Sequence, residues 1–392
     1  MVVVRRALVW LVGPLSLSGL IVAALLGSLP LCLVSLVGLA CTARRLAAWR
    51  RRTATVRAAA HGASAAPPRR QARTAEDPAS LVEQMLAQQR YALLLRPQIA
   101  ENLTDPEFTQ ACAVLEQNMA LVPAGEVVVG DVDEALQDGK IDADVLRSKL
   151  ARLVEIEPVF LDRHPVTNAQ FFEFVANGGY QELDIWDQEI LAAVLDFVDR
   201  SGAPGPRFWR DGCFAPGEEH LPVVGVSWYE AGAYARWTGK RLPTDAEWVK
   251  AGCWPVSPRP GVWIERRYPW GNLFEPQKAN LWASGEGRIV AVDRFAEGVS
   301  VGGVYQLIGN VWEWTGDNFG RAEDLSLMLP TPMKSIRGGA FDTYFENQAT
   351  CHFQSGESPL NRKHNLGFRL ALGACDVARR AAPAEASEEA CA

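Results

Sequence analysis

Three helices with both ends written into the sequence, set in a long glycine- and tryptophan-rich run, constrain this chain most. SWYEAGAYARWTGK (227–240) opens on Ser227, with Glu230 three residues later, and closes on Gly239. A capping Ser or Thr answered by Glu or Gln at the third position satisfies two backbone donors, and a glycine past the last turn takes the left-handed conformation that stops a helix. TDAEWVKAG (244–252) repeats this grammar with Thr244, Glu247 and Gly252, and TNAQFFEFVANGG (167–179) with Thr167, Gln170 and Gly178. Around them, from Ala120 onward, short strand-like runs alternate with glycines, and eleven of the 13 tryptophans lie between Trp186 and Trp314. Strands and helices do not alternate in the doubly wound manner. The expected fold is α+β with little regular secondary structure.

The remainder of the 392 residues divides by composition. Ala7 to Thr42 is a 36-residue stretch without a charge, broken at Gly27-Ser28-Leu29-Pro30. A helix needs roughly 20 apolar residues to cross a bilayer, and a signal peptide's apolar region would be about half this length. Two arrangements fit: a helical hairpin, or one long span with a re-entrant end. Arg5 and Arg6 precede the stretch, and Arg44, Arg45, Arg50, Arg51, Arg52 and Arg57 follow it. Positive flanks mark the cytoplasmic side, so either arrangement implies the inner (cytoplasmic) membrane with the main domain facing the cytoplasm. The expected organisation is a membrane segment with basic flank (1–52), a disordered linker (53–77), a helical prelude (78–118), the α+β domain (119–374) and a disordered tail (375–392). In the prelude, SLVEQMLAQQRYALLL (80–95) reads as one helix stopping before Pro97, and a second is expected from Thr104 to about Gln117.

Charge excludes one class of function. Residues 1–73 hold eleven arginines and no acid; beyond them 28 basic residues stand against 46 acidic ones, about −18. A body that acidic repels phosphate backbones, so nucleic acid is not an expected partner. The eight cysteines form no C-x2-C pair and histidines number five, so neither a zinc ribbon nor a secreted disulfide framework is legible.

Six motifs occur in order: DRHPVTNAQFFEFV (162–175), PVVGVSWYEAGAYARWTGKRLPTDAEWVKAG (222–252), YPWGNLFEPQKANLW (268–282), GVYQLIGNVWEWTGDNF (303–319), RGGAF (337–341) and NLGFRLAL (365–372). Over 119–374 the chain thereby resembles the sulfatase-modifying factor, or formylglycine-generating enzyme, family, which implies a C-type-lectin-like fold. The family's oxidase uses oxygen and copper(I) held by two cysteine thiolates five positions apart, soft donors suited to a soft ion. By this resemblance Cys351 stands at the second thiolate and Pro359 at a loop proline, whereas the first thiolate position falls on Glu346, a hard donor, or near it if a gap is allowed, and an arginine position falls on Gln354. Cys351 is thus the one catalytic candidate, copper(I) is not expected, and the simpler reading is a buried thiol. His352 beside it can ligate a metal, although adjacent strand residues face opposite ways. GGYQELDIWD (178–187) is similar to the ergothioneine-type sulfoxide synthases, but their iron needs three histidines, and residues 62–163 contain none.

The resemblance also implies calcium, held by the side chains of Gln306 and Glu313 and the carbonyls of Gly309 and Val311, with a second site at Asn280, the carbonyl of Leu281 and Glu286. Oxygen donors of this kind suit a hard cation. Arg241 is expected to pair with a core carboxylate, and Trp312 and Trp314 to share a packed face. The expected function is a membrane-tethered pseudoenzyme that binds a protein or peptide or serves as a maturation accessory, with 342–364 as its display surface ending on Arg362, Lys363 and His364. The alternative is a Cys351-dependent oxidoreductase acting on a protein cysteine.

Overall fold

The computed structural model describes residues 78–380 apart from 131, 133–134, 137–140, 149–150 and 321–331. The uncharged stretch 7–42 and the linker lie outside the described residues, among which no helix is long and apolar enough to cross a membrane.

The prelude contains α1 (Pro78–Ala87), α2 (Tyr91–Leu94), α3 (Pro97–Ala100) and α4 (Asp105–Asn118). The single helix expected over 80–95 therefore divides. Gln89 adopts a φ of 60°, and the N–H groups of Gln89 and Arg90 reach back to the carbonyls of Leu86 and Met85. That is a Schellman closure, and it turns Tyr91, Leu94 and Leu95 inward against Leu115 of α4. The α4 start agrees with the sequence: Thr104 and Glu107 form a capping box.

Twelve short strands follow: β1 (Met119–Val122), β2 (Gly125–Val129), β3 (Ile141–Asp142), β4 (Arg152–Ile156), β5 (Val159–Asp162), β6 (Val256–Arg259), β7 (Val262–Ile264), β8 (Trp312–Asn318), β9 (Lys334–Arg337), β10 (Ser355–Glu357), β11 (Leu366–Phe368) and β12 (Ala371–Gly373). They form four small sheets, ordered β1-β5-β12, β10-β9-β8-β11, β2-β4 and β3-β7-β6. β5 pairs antiparallel with the first strand, Ala120 opposite Leu161, and with the last, Ala371 opposite Leu161. The two ends of the domain are thereby stitched together. β11 runs parallel to β8, setting Gly367 opposite Glu313.

The three punctuated helices appear as α5 (Asn168–Ala176), α6 (Trp228–Thr238) and α7 (Asp245–Cys253), each with both halves of its capping box formed. Gly239 takes the left-handed cap at φ 79°. In α7 the stop comes two residues later than expected, at Trp254 with φ 45°. Gly252 is inside the last turn, where a Cβ would stand 2.9 Å from the Cys351 Sγ. Close packing, not termination, requires that glycine. Every residue of α7 is buried, and Trp248, Val249, Ala251 and Cys253 pack in one core cluster with β1, β2 and β5, Leu307 and Cys351.

The prelude is fastened to this domain by charge as well as by packing. Lys240, buried after α6, donates to the Tyr91 hydroxyl at 2.6 Å and to Asp162 Oδ1 at 2.9 Å. Burial pushes the lysine pKa down, but Asp162 and Tyr91 outweigh it and hold the ammonium above its usual value; burial pushes the Tyr91 hydroxyl up to about 12. Arg90 and Arg96 donate to the carbonyls of Trp237 and Gly239. The start of the expected disordered tail is also ordered: Ala378 donates to Leu95 O, and Arg380 to Leu103 O and Asp105. Unfolded-chain composition is overridden there by open carbonyls at the helix ends of the prelude. Replacing Lys240 with Ala leaves Asp162 buried without its cation, and should lower the free energy of urea unfolding by about 3–5 kcal/mol.

Candidate functional site

Cys351 has no exposed surface. Its N–H donates to Arg267 O at 2.9 Å, and its sulfur lies on the face of Gly252. Glu346, at the other family thiolate position, accepts from Arg267 Nη1 and the Tyr268 hydroxyl, both at 2.8 Å. A carboxylate so held is a hard, already neutralised group, so these two residues do not fit a copper(I) ion. Gln354 donates to Asp245 Oδ2 at 2.6 Å and to Ser335 Oγ at 3.0 Å. The Asp245 charge is met by Arg337, whose Nε lies 2.9 Å from Oδ1. Burial raises that carboxyl's pKa, but Arg337, Ser335 and Thr315 together bring it below its usual value.

His352 is buried with Cys351, so the pair does not split into an inner and an outer face. Its Nε2 is 2.5 Å from Glu265 Oε2, and neither side chain is exposed. Glu265 Oε1 accepts from Val128 N–H of β2 at 2.9 Å. Cys253, the last residue of α7, completes a set of three donors whose ligand atoms all lie within 4.8 Å of one another. Burial pushes the Cys253 thiol well above its usual pKa, and Glu265 adds to the effect. Nothing in ligand spacing announces this set. Cys253 and Glu265 meet because the β6–β7 hairpin returns the chain, with Arg266 N–H donating to Cys253 O at 3.0 Å. The readable signal is that hairpin, whose Pro260-Gly261 turn separates two flanks of similar length.

The residues carried over for calcium are engaged elsewhere. Arg369 grips Glu313 through Nε to Oε2 and Nη2 to Oε1, both at 2.7 Å, and Trp248 Nε1 donates to Oε2 at 2.8 Å. A divalent cation would meet that guanidinium at both oxygens. Gln306 Oε1 accepts from Asn310 Nδ2 at 2.7 Å, and Asn310 Oδ1 accepts from Asn280 Nδ2 at 2.9 Å. Asn310, not singled out from sequence, thus joins the two expected sites by amide–amide bonds. The Gly309 carbonyl accepts from Val311 N–H, the Leu281 carbonyl from the Ser284 hydroxyl, and Glu286 pairs with Arg294. Of the expected calcium ligands, Glu313 is taken by Arg369 and Trp248, Gln306 and Asn280 by Asn310, the Gly309 carbonyl by the Val311 N–H and the Leu281 carbonyl by Ser284, so this set does not fit an ion.

The expected binding cluster also divides. Arg362 is buried, donating to the carbonyls of Gly225, Val198 and Gly205 and ion-paired with Glu230 at 2.9 Å. It is structural because Glu230, buried in the α6 capping box, needs a counter-charge. Lys363 pairs with Glu357, and His364 lies 3.5 Å from Asp342; these two remain largely at the surface. The apolar face of 342–364 is more distinctive: Tyr344 is 70% exposed and Phe345 60%, beside Trp282 at 60%. Tyr344 touches both other rings, at centroid distances of 6.2 Å to Trp282 and 5.3 Å to Phe345. Arg241 behaves as expected, binding both oxygens of Glu247. Trp314 is fully buried and Trp312 half-buried.

Residues 104–374 match the model of the sulfatase-modifying factor enzyme 1-like domain. The chain is 31% identical over 292 residues to an inactive C-alpha-formylglycine-generating enzyme 2 from Bos taurus, covering 66% of this chain and 88% of that protein. It is 37% identical over 274 residues to a hercynine oxygenase from Mycolicibacterium smegmatis, covering 64% of this chain and 60% of that one. Among solved structures, PvdO from Pseudomonas aeruginosa is similar over 64% of this chain and 93% of its own length, with 20% identity and a TM-score of 0.43.

Two outcomes follow from these contacts. Glu313→Ala leaves Arg369 buried and unpaired and should cost about 3–5 kcal/mol in urea unfolding, while millimolar calcium should leave the parent's midpoint unmoved. His164, stacked on Tyr305 at 4.6 Å, has its pKa lowered to about 4 by burial and then by Arg369. The unfolded chain takes up this proton near the ordinary pKa of about 6.5 and the folded chain does not, so stability falls as pH drops from 6.5 towards 4. His164→Phe should flatten that slope, read as unfolding midpoint against pH.

Proposed function

Because the chain belongs to the sulfatase-modifying factor enzyme 1-like family, we propose that it is a member without formylglycine-generating activity, acting as a binding or accessory module for another protein. The observation that carries this reading is the state of the two thiolate positions. Cys351 is wholly buried under the Arg267 backbone, and Glu346 is held by Arg267 and Tyr268. Neither a soft ion nor a substrate thiol finds a donor pair there. Similarity to a relative described as inactive is consistent with it.

The partner would be met by the Trp282–Tyr344–Phe345 surface. Aromatic side chains bury much area for little entropy, and they dominate the energetics of protein interfaces. Exposed together, Tyr344 and Phe345 on one irregular segment and Trp282 beside it, they suit a peptide or protein segment better than a small polar ligand. The uncharged stretch 7–42 with its arginine flanks would tether this domain to the cytoplasmic membrane, facing inward.

A second reading keeps an oxidoreductase. Cys253 shares the core cluster of Cys351, so a second thiol is close by even though the expected one is missing, and a hercynine oxygenase is among the similar proteins. Incubating the full chain with a cysteine-containing sulfatase peptide, copper(I) and oxygen separates the two. No aldehyde should form; aldehyde that depends on Cys351 would establish the oxidase instead. A photo-crosslinking residue at position 344 should trap one partner that the same residue at exposed Leu121 does not, and equal labelling at both would end the binding assignment.

A further inference from the structure

The buried triad of Cys253, Glu265 and His352 has no part in the proposed binding surface. The three residues come from separate segments: the end of α7, the end of the β6–β7 hairpin, and the loop before β10. All three are buried, and their donor atoms lie within 4.8 Å of one another. A histidine kept for packing normally satisfies both ring nitrogens, because a buried polar atom left without a partner costs about 1–3 kcal/mol. Here Nδ1 of His352 is buried without a hydrogen bond.

We propose that Cys253, Glu265 and His352 form a buried site for one zinc ion. Donor chemistry selects the metal. One sulfur, one imidazole nitrogen and one carboxylate oxygen suit a borderline cation, whereas calcium takes oxygen alone and copper(I) prefers sulfur. Charge selects it too: a thiolate, a carboxylate and a neutral imidazole sum to −2, which a divalent ion cancels at a site buried from solvent. On entry of the ion, the Cys253 thiol proton is released.

Geometry asks for a small rearrangement. With zinc bonds of about 2.0–2.3 Å, donors in a tetrahedral site stand roughly 3.3–3.8 Å apart. Ligation through Nε2 therefore opens its 2.5 Å contact with Glu265 Oε2 by about an ångström, and the unbonded Nδ1 leaves no hydrogen bond on the far side of the ring to resist that shift. Glu265 is already oriented from behind by the Val128 N–H at 2.9 Å, the kind of support that fixes a metal-binding carboxylate. The ion would tie α7, the hairpin and the loop of Cys351 into one rigid unit.

The full-length chain purified without chelator should carry about one zinc per molecule by elemental mass spectrometry. Cobalt-grown protein should show a thiolate-to-cobalt charge-transfer band. Cys253→Ala and His352→Gln should each lose the ion or weaken its binding at least tenfold, whereas Cys351→Ala should retain it. Should the first two variants fold poorly, the parent decides. Removing metal with a strong chelator should lower its melting temperature, and adding zinc should restore it. A parent that is metal-free as purified, with no change in melting temperature on adding zinc, overturns the proposal. So does loss of the ion in Cys351→Ala as complete as in Cys253→Ala, because the ligand set would then lie elsewhere.

Discussion

The bidentate grip of Arg369 on Glu313 is the contact around which the domain is assembled. Arg369 also donates to the carbonyls of Asp162, Arg163 and Tyr305, and Trp248 shares the Glu313 carboxylate. One guanidinium therefore connects β5, β8, the loop holding Tyr305 and the chain between β11 and β12, while the indole brings in α7. A buried ion pair is costly to desolvate and contributes little unless every polar atom finds a partner. Here both carboxylate oxygens and all three guanidinium nitrogens do. The pair specifies one arrangement of segments that their short strands cannot specify alone.

The same device recurs wherever regular structure is thin. Asp245 gathers Arg337, Ser335, Thr315 and Gln354. Glu230 gathers Arg362 and the Tyr180 hydroxyl. Asn310 links Val290, Gln306 and Asn280 by hydrogen bonds of its side-chain amide. A sheet of three-residue strands leaves many backbone groups unsatisfied by ladder bonds, and long polar side chains reaching the carbonyls of distant loops supply the remainder. Residues that the family pattern suggests for ion binding are used in this chain as cross-braces.

Much of the fold was legible because its signals are local. Three capping boxes, each spanning four residues, predict three helices that are all present, and the ordered motifs lead to the family to which the chain belongs. Legibility failed where a residue's role depends on what arrives from far away. Gly252 reads as a helix stop and serves as a packing contact for Cys351. Arg362 reads as the edge of a display surface and is buried because Glu230, 132 positions earlier in the chain, needs its charge. Gln89 carries no composition that announces a left-handed residue, yet the Schellman closure around it divides the first helix.

By itself, the sequence determined the helix starts set by capping boxes, the α+β class and the family. These depend on the chemistry of neighbours within a few residues or on ordered motifs. Tertiary structure alone decided that Cys351 is sealed, that Glu313 answers to Arg369, and that Cys253, Glu265 and His352 converge. The physical reason is separation along the chain. Cys253 and His352 are 99 positions apart in number, and only the folding of a hairpin and a loop onto the end of one buried helix brings a sulfur, an oxygen and a nitrogen to the same point.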